Sequence, residues 1–216
     1  MKSCNAMDPI SFLTHFCAGI GSIVVTIIFA LKAFLGATSI EIGIGALVFG
    51  CSATCLYFTS SLYHYYQGEA TNTIKLFLRK LDHGMIYIFI AGSYTPFIIA
   101  YLNDDKRLVF GLFIWGIALL GVLLKVFWLD MPRVVYTSFY LLMGWLIVFD
   151  LPSFMLMDKG CFMLMALGGI SYTVGALIYI LKKPNLGNMF GFHEIFHVFI
   201  MIGTFFQFLA VYFFVL

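Results

Sequence analysis

The sequence predicts an all-α integral membrane protein of seven transmembrane helices, with its N-terminus in the cytoplasm and its C-terminus outside. Three observations support this prediction: the composition, the lengths of the apolar segments and the distribution of lysine and arginine. Of the 216 residues, 62% are hydrophobic and 10% are charged, and the mean hydropathy is +1.03. Charged residues make up roughly a quarter of a soluble domain, so the composition excludes that class.

Seven apolar segments divide the chain, each close to the roughly 20 residues that cross a bilayer as a helix. The predicted spans are 12–33, 42–66, 81–102, 108–128, 134–151, 160–181 and 190–216. The first is expected to be a retained helix rather than a signal peptide, because it is long and no clear small-residue cleavage site follows it. The fifth has a short charge-free core, which Pro152 follows. We expect a single domain over residues 1–216.

Lysine and arginine are distributed unequally between the two sides of such a bundle. The side of the N-terminus has eight of them: Lys2, Lys75, Arg79, Lys80, Lys125, Arg133, Lys182 and Lys183. The other side has four: Lys32, Lys106, Arg107 and Lys159. Because cytoplasmic loops carry an excess of these residues, the split predicts a cytoplasmic N-terminus.

A pair of histidines lies at the start of the last apolar segment, in the run GFHEIFH at 191–197. His193 and His197 are four residues apart, so on a helix their imidazoles lie on one face and can bind one metal ion together. Two imidazoles do not complete a zinc site, so a third ligand must come from elsewhere in the chain.

His64, at the end of the second span, is the candidate third ligand. The predicted topology places it at the same membrane edge as His193, and ionisable residues within spans by default indicate a functional site. Three neutral imidazoles with a fourth position open to water are typical of a catalytic zinc rather than a structural one. Such a zinc lowers the pKa of its water to about 7 and polarises a carbonyl.

Two further polar residues are the candidate catalytic groups. Ser60 precedes His64 by one helical turn and lies on the same face. Asp82, at the start of the third span, can accept a hydrogen bond from metal-bound water or from an imidazole N–H. From spacing alone, Asp82 could equally cap the third helix, and Ser60 could bond back to a carbonyl of its own helix.

The remaining histidines are interpreted as interfacial residues. His83 projects about 100° away from Asp82 on a helix, which favours an interfacial histidine over a ligand. His15, near the same membrane edge, receives the same interpretation.

These motifs resemble the hemolysin III branch of the progestin and adipoQ receptor proteins, which includes the adiponectin receptors. The resemblance covers nearly the whole chain, through SxxxH at 60–64, LDHG at 81–84, AGSYTPF at 91–97 and HxxxH at 193–197. It implies seven helices, a cytoplasmic N-terminus, and zinc held by His64, His193 and His197 with Asp82 and Ser60 beside it. It also implies relatives that act as lipid amide hydrolases such as ceramidases, and a bacterial branch named for haemolysis.

The sequence therefore predicts a zinc-dependent hydrolase of lipid amide bonds in a bacterial inner membrane, with a membrane lipid as substrate and no nucleic-acid partner. A non-enzymatic, zinc-stabilised receptor or regulator stays open, as does a haemolysin-type pore former, although the polar residues cluster at one edge. The HExxH pattern at 193–197 is also that of metalloproteases, in which the glutamate, here Glu194, is the general base. An intramembrane metalloprotease is thus a third alternative, although no carboxylate ligand follows His197.

Overall fold

The computed structural model describes residues 8–36, 38–187 and 190–216, and over these residues the protein consists of helices and short connections. Seven helices of 22 to 29 residues are long and apolar enough to cross a membrane. At about 1.5 Å per residue, even the shortest matches the hydrocarbon thickness of roughly 30 Å. The prediction of an all-α protein with seven transmembrane helices is confirmed.

The seven spans are numbered α1 to α7 in chain order. They are Pro9–Leu35, Ile40–Tyr65, Thr73–Tyr101, Asp104–Phe127, Arg133–Phe154, Lys159–Leu181 and Phe192–Val215. Side chains at the N-caps begin several of these helices, because they satisfy backbone N–H groups that have no partner inside the helix. Ser39 caps α2, Asn72 caps α3 and Asn103 caps α4.

The third helix begins at Thr73, well before the predicted start at 81. The side chain of Asn72 accepts hydrogen bonds from the backbone N–H groups of Ile74 and Lys75 at 2.9 and 3.3 Å, which starts the helix there. The prediction was wrong at this boundary because apolarity marks the membrane core, whereas the cap determines where the helix begins.

Regular α-helix in α5 ends at Gly144, so the span predicted over 134–151 is irregular in its second half. The chain continues as a 3₁₀ helix before Pro152, which lacks an N–H group. Tyr94 of α3 satisfies the interrupted backbone: its hydroxyl donates to the Gly144 carbonyl at 2.6 Å and accepts from the Ile147 N–H at 3.2 Å. Irregular backbone inside a membrane requires such protein partners.

The two ends of the bundle differ in charge. The site end is the end where α2 finishes and where α3 and α7 begin, and the other is the opposite end. Lysines and arginines at the site end are Lys75, Arg79, Lys80, Lys125, Arg133, Lys182 and Lys183. Those at the opposite end are Lys32, Lys106, Arg107 and Lys159. Lys2 lies outside the described residues. The grouping agrees with the predicted one, and a cytoplasmic site end stays a prediction.

Packing is uneven around the bundle. Helices α1, α2 and α3 pack closely in sequence order, as do α6 and α7, whereas α5 packs only loosely on α3 and α6. The outer face of α1 exposes Leu13, Ile20, Val24 and Ile27, a continuous apolar surface of the kind that lipid covers. The loose packing of α5 leaves an interior cavity that reaches the site end.

Candidate metal centre

Three histidines from two helices meet at the site end. His64 is in the last turn of α2, and His193 and His197 are in the first turns of α7. One ring nitrogen from each lies within 4.8 Å of the others, and the Nε2 atoms of His64 and His193 are 3.3 Å apart. Zinc–nitrogen bonds of normal length at tetrahedral angles separate two nitrogens by about 3.3 Å. The geometry therefore fits one shared metal ion.

Asp8, just before α1, orients the first of these histidines. Its Oδ2 lies 3.0 Å from Nδ1 of His64, so the carboxylate accepts the Nδ1–H and leaves the Nε2 lone pair of His64 for a metal. This hydrogen bond lowers the pKa of Asp8 below its usual value, against the opposing effect of partial burial. The sequence interpretation missed Asp8, whose available signal was a carboxylate at the predicted site edge.

His15 of α1 lies directly against this cluster. Its ring stacks on that of His197 with centroids 3.7 Å apart and planes 13° apart. The side chain is only 4% exposed, and neither ring nitrogen has a hydrogen-bond partner among the described residues. His15 therefore packs at the interface of α1 with α2 and α7, where its ring also lies 5.1 Å from that of Tyr57, and it is not among the three histidines grouped around a possible metal ion. His197 likewise keeps its Nδ1 without a partner.

Ser60 and Asp82 form a buried pair between α2 and α3. The Ser60 hydroxyl lies near the Asp82 carboxylate, close enough to interact with it, and both residues are at least nine-tenths buried. They line the same interior cavity as His193 and His197. The structure thus places the two predicted catalytic residues beside the histidine cluster, in contact with each other.

The side chain of Glu194 stabilises the start of α7 and its contact with α1. Its Oε2 accepts the Gly191 N–H at 2.8 Å and completes a capping box at the start of α7. Its Oε1 accepts the hydroxyl hydrogen of Ser11 at 3.0 Å, which ties α7 to α1. Both carboxylate oxygens are therefore occupied by contacts that hold the helices together. The general base of a metalloprotease would need a free oxygen directed at water.

Two chambers meet at the histidines. An interior cavity of about 410 Å³ runs from His193 and His197 to Gln207, between α3, α5, α6 and α7, and its wall is mainly apolar. Gln207 follows His197 by ten residues, about 15 Å along the helix. A second chamber of about 400 Å³ has a polar wall. Both chambers are lined by Asp82, His83, Tyr136, Tyr179 and His193.

Residues 5–208 match the sequence family described as "Haemolysin-III related". The chain belongs to this family. It is 33% identical over 205 residues to "Hemolysin-3" of Bacillus cereus, which covers 94% of this chain and 90% of that protein. It is 34% identical over 168 residues to the "Hemolysin-3 homolog" of Bacillus subtilis (strain 168), a match that covers 77% of this chain and 75% of that protein. The family resemblance to the hemolysin III branch is confirmed.

Family membership agrees with the membrane architecture. The matched range covers all three histidines and the Ser60–Asp82 pair, together with most of each span. The protein is a multi-pass membrane protein with a histidine cluster that could hold a metal ion. The names of its relatives describe haemolysis and no reaction, so the chemistry must be argued from the site.

His83 has a larger part in the site than its interpretation as an interfacial histidine suggests. It lines both chambers, and its Nδ1 has no partner among the described residues. Its backbone carbonyl accepts the hydroxyl hydrogen of Tyr140 at 3.0 Å. His83 lies about 100° round the helix from Asp82, which turns it away from the three clustered histidines. It still faces the two chambers, where α5 packs loosely.

Proposed function

We propose that this protein is a zinc-dependent hydrolase of lipid amide bonds that works at the cytoplasmic edge of a bacterial inner membrane. One observation carries the proposal: the buried histidine cluster lies where a mainly apolar cavity meets a polar chamber. An amide bond at this junction would leave its acyl chain in the cavity and its amine half in the chamber. A volume of about 410 Å³ falls in the range of sites that enclose small ligands.

The donor set supports zinc as the metal. Three imidazoles, one of them oriented by the carboxylate of Asp8, are the ligands of hydrolytic zinc sites. When bound, zinc would polarise the amide carbonyl and lower the pKa of water to about 7. The buried Nδ1 of His197 has no hydrogen-bond partner among the described residues, and such an atom calls for an explanation such as an ion or a ligand.

The proton transfers would fall to the Ser60–Asp82 pair. Hydrolysis adds the oxygen of water to the carbonyl carbon, breaks the carbon–nitrogen bond and requires a proton on the leaving amine. Asp82 would accept the proton of the attacking water at its carboxylate oxygen and return it to the amine nitrogen. The hydroxyl of Ser60, which lies near this carboxylate, would hold it in place by donating a hydrogen bond. The apolar wall of the cavity excludes other water from the reacting bond.

The alternatives predict different behaviour. In a non-enzymatic receptor or regulator, the metal would only tie α2 to α7, and no lipid would be cleaved. A pore would need a polar path through the membrane, whereas the interior cavity is bordered by aromatic residues such as Phe89, Phe97 and Phe162. A metalloprotease would use Glu194, whose two carboxylate oxygens are engaged with Gly191 and Ser11.

The decisive experiment measures zinc content and fatty-acid release from a panel of ceramides and other N-acyl lipids. Asp82→Asn should retain zinc, because asparagine has nearly the same shape, and should slow hydrolysis about 10² to 10⁴-fold, because it cannot take a proton. Asp150→Asn, at the opposite end, is the control and should hydrolyse like the wild type.

The outcomes separate the candidates. Full hydrolysis by Asp82→Asn would refute the role given to that residue. A wild type that is inert on the whole panel would favour the receptor or regulator. A wild type that is inert on lipids but cleaves a membrane-embedded peptide, with that cleavage lost in Glu194→Gln and kept in Asp82→Asn, would favour the protease.

A further inference from the structure

The polar chamber beside the histidine cluster contains a positive charge that has no acidic partner among the described residues. Arg79 and Arg133 are the arginines in its wall, and neither lines the apolar cavity. Of the carboxylates in the same wall, Asp8 and Glu194 already accept the hydrogen bonds described above, and Asp82 lies near Ser60. The acidic groups of the chamber wall are therefore engaged, whereas at least one arginine has N–H groups that a ligand could accept.

Arg79 is partly engaged and Arg133 is not. Arg79 forms an ion pair with Asp130, with NH1 and Oδ1 3.0 Å apart. Among the ion pairs of residues 8–36, 38–187 and 190–216, none includes Arg133. Its NH1 donates to the Tyr179 carbonyl at 3.3 Å. A guanidinium has five N–H donors, and those on Arg133 have no acidic acceptor among the described residues.

Aromatic side chains hold this guanidinium in place. Its central carbon lies 4.5 Å from the ring centroid of Tyr179 and 5.0 Å from that of Phe192. The Tyr179 hydroxyl is in turn hydrogen-bonded to that of Tyr136 at 2.9 Å. A planar fork that is already positioned loses little side-chain entropy when it binds a carboxylate or a phosphate through two parallel hydrogen bonds.

The position of this fork relates it to the reaction. The ring of Tyr179 lies between Arg133 and His193, with the Tyr179 and His193 centroids 5.6 Å apart. Arg133 is thus one aromatic ring away from a metal ligand, on the chamber side of the junction. A group bound there would belong to the amine half of an amide substrate, because the acyl half occupies the apolar cavity.

We propose that Arg133, with Arg79 beside it, binds an oxyanion on the amine half of the substrate. The ligand class is an N-acyl lipid whose amine carries a carboxylate or a phosphate, as in an N-acyl amino acid or an N-acyl phosphoethanolamine. This inference rests on the proposed function for the amide bond. It adds that uncharged amides, including simple ceramides, bind less tightly than their anionic counterparts.

The test compares matched ligands in uncharged detergent micelles. N-palmitoylglycine carries a carboxylate, N-palmitoylethanolamine is its neutral counterpart of nearly the same size, and N-palmitoyl phosphoethanolamine carries a phosphate. Dissociation constants are measured by equilibrium binding of labelled lipid to zinc-loaded protein, with Asp82→Asn added to the wild type and to each variant so that the lipid is not cleaved. Fatty-acid release is measured separately, without that change. Inorganic phosphate alone is the fourth probe. The wild type should bind the two anionic amides about tenfold or more tightly than the neutral one.

The variants assign this preference to one residue. Arg133→Gln should reduce the ratio of anionic to neutral affinity to about one, and Arg133→Lys should keep part of it, because a lysine retains the charge without the fork. Lys182→Gln removes the same charge from an exposed position at the same end, outside the chamber. This control should keep the full ratio. Zinc content of each variant verifies that the site is intact.

Several results would overturn the inference. They are equal wild-type affinity for charged and neutral amides, equal loss of the preference in Lys182→Gln, and inorganic phosphate bound as tightly as the anionic lipids. If Arg133→Gln does not fold, an unchanged ratio in Arg133→Lys would also overturn it. An anionic preference without any hydrolysis would retain this inference and sink the hydrolase, whereas hydrolysis of neutral amides without the preference would do the reverse.

Discussion

Both ends of the bundle contain ionisable side chains, which are buried at the site end and exposed at the opposite end. At the site end, His15, His64 and His197 are no more than 4% exposed. At the opposite end, Lys106 pairs with Asp150 at 2.8 Å, with nearly half of the lysine side chain open to solvent. Burying a polar group costs free energy unless a partner compensates it, whereas an exposed pair costs and contributes little.

The site end is where burial of polar groups costs free energy that no hydrogen bond offsets. Several buried nitrogens at the site end have no partner among the described residues, namely His15 Nδ1 and Nε2, His83 Nδ1, Lys125 Nζ and His197 Nδ1. Lys125 is fully buried, with its Nζ 3.5 Å from the ring centroid of Tyr136. A native protein has few such atoms, and they call for an explanation such as an ion or a ligand. At the opposite end, Arg107 Nε is also without a partner in the described part of the chain, but the same guanidinium forms ion pairs with Glu41 and Asp104 through NH1.

The largest expected effect concerns which end faces the cytoplasm. The excess of lysine and arginine at the site end predicts that Leu216 lies outside. A reporter fused after Leu216 that works only outside the cytoplasm should be active, and one that works only inside should be silent. The reverse pattern would invert the orientation and place the metal centre at the outer face.

The next effect concerns the metal. If His64, His193 and His197 share one ion, the purified protein should carry about one zinc, and alanine at any of the three should remove most of it. The measurement is metal content by elemental analysis. Lys106→Gln, at the opposite end, should keep the full content. Stoichiometric zinc in His64→Ala would exclude the shared site.

A smaller effect is expected from Asp8, which contacts the site only through His64. Asp8→Asn should weaken zinc binding about 10 to 100-fold, because the carboxylate orients the imidazole and raises its basicity. Competition with a chelator of known affinity measures this change. Glu41→Gln at the opposite end, where Glu41 pairs with Arg107 at 3.1 Å, is the matched control. Equal zinc affinity in Asp8→Asn and the wild type would contradict the orienting role.

The smallest effect is expected at the opposite end itself. Replacing Lys106 by alanine removes its ion pair with Asp150 and its hydrogen bond to Ser153 at 2.7 Å. Exposed pairs contribute about 0.2 to 1 kcal/mol, so the free energy of unfolding should fall by no more than that, with zinc content unchanged. Denaturation in micelles measures the difference. A larger loss would show that the two ends do not differ as described.

The spans and the ligand pair could be predicted from the sequence for local physical reasons. Apolar runs of bilayer length determine where the chain crosses a membrane, and the spacing of His193 and His197 determines that they share one helical face. The third candidate ligand, His64, was predicted because the second span ends at the membrane edge where His193 lies. The start of α3 has a local signal in the N-cap Asn72, which hydropathy alone does not register. The second half of α5 instead depends on Tyr94 of another helix.

Contacts between distant parts of the chain were decided only by the tertiary structure. Asp8 meets His64 across 56 residues, and Ser11 meets Glu194 across 183. The stacking of His15 on His197 and the unpaired fork of Arg133 likewise depend on how helices pack. The sequence by itself determined the membrane architecture and the ligand residues, because both follow from periodicity and length. Which residues surround the histidine cluster was determined by helix packing, because no local pattern specifies the neighbour of a side chain on another helix.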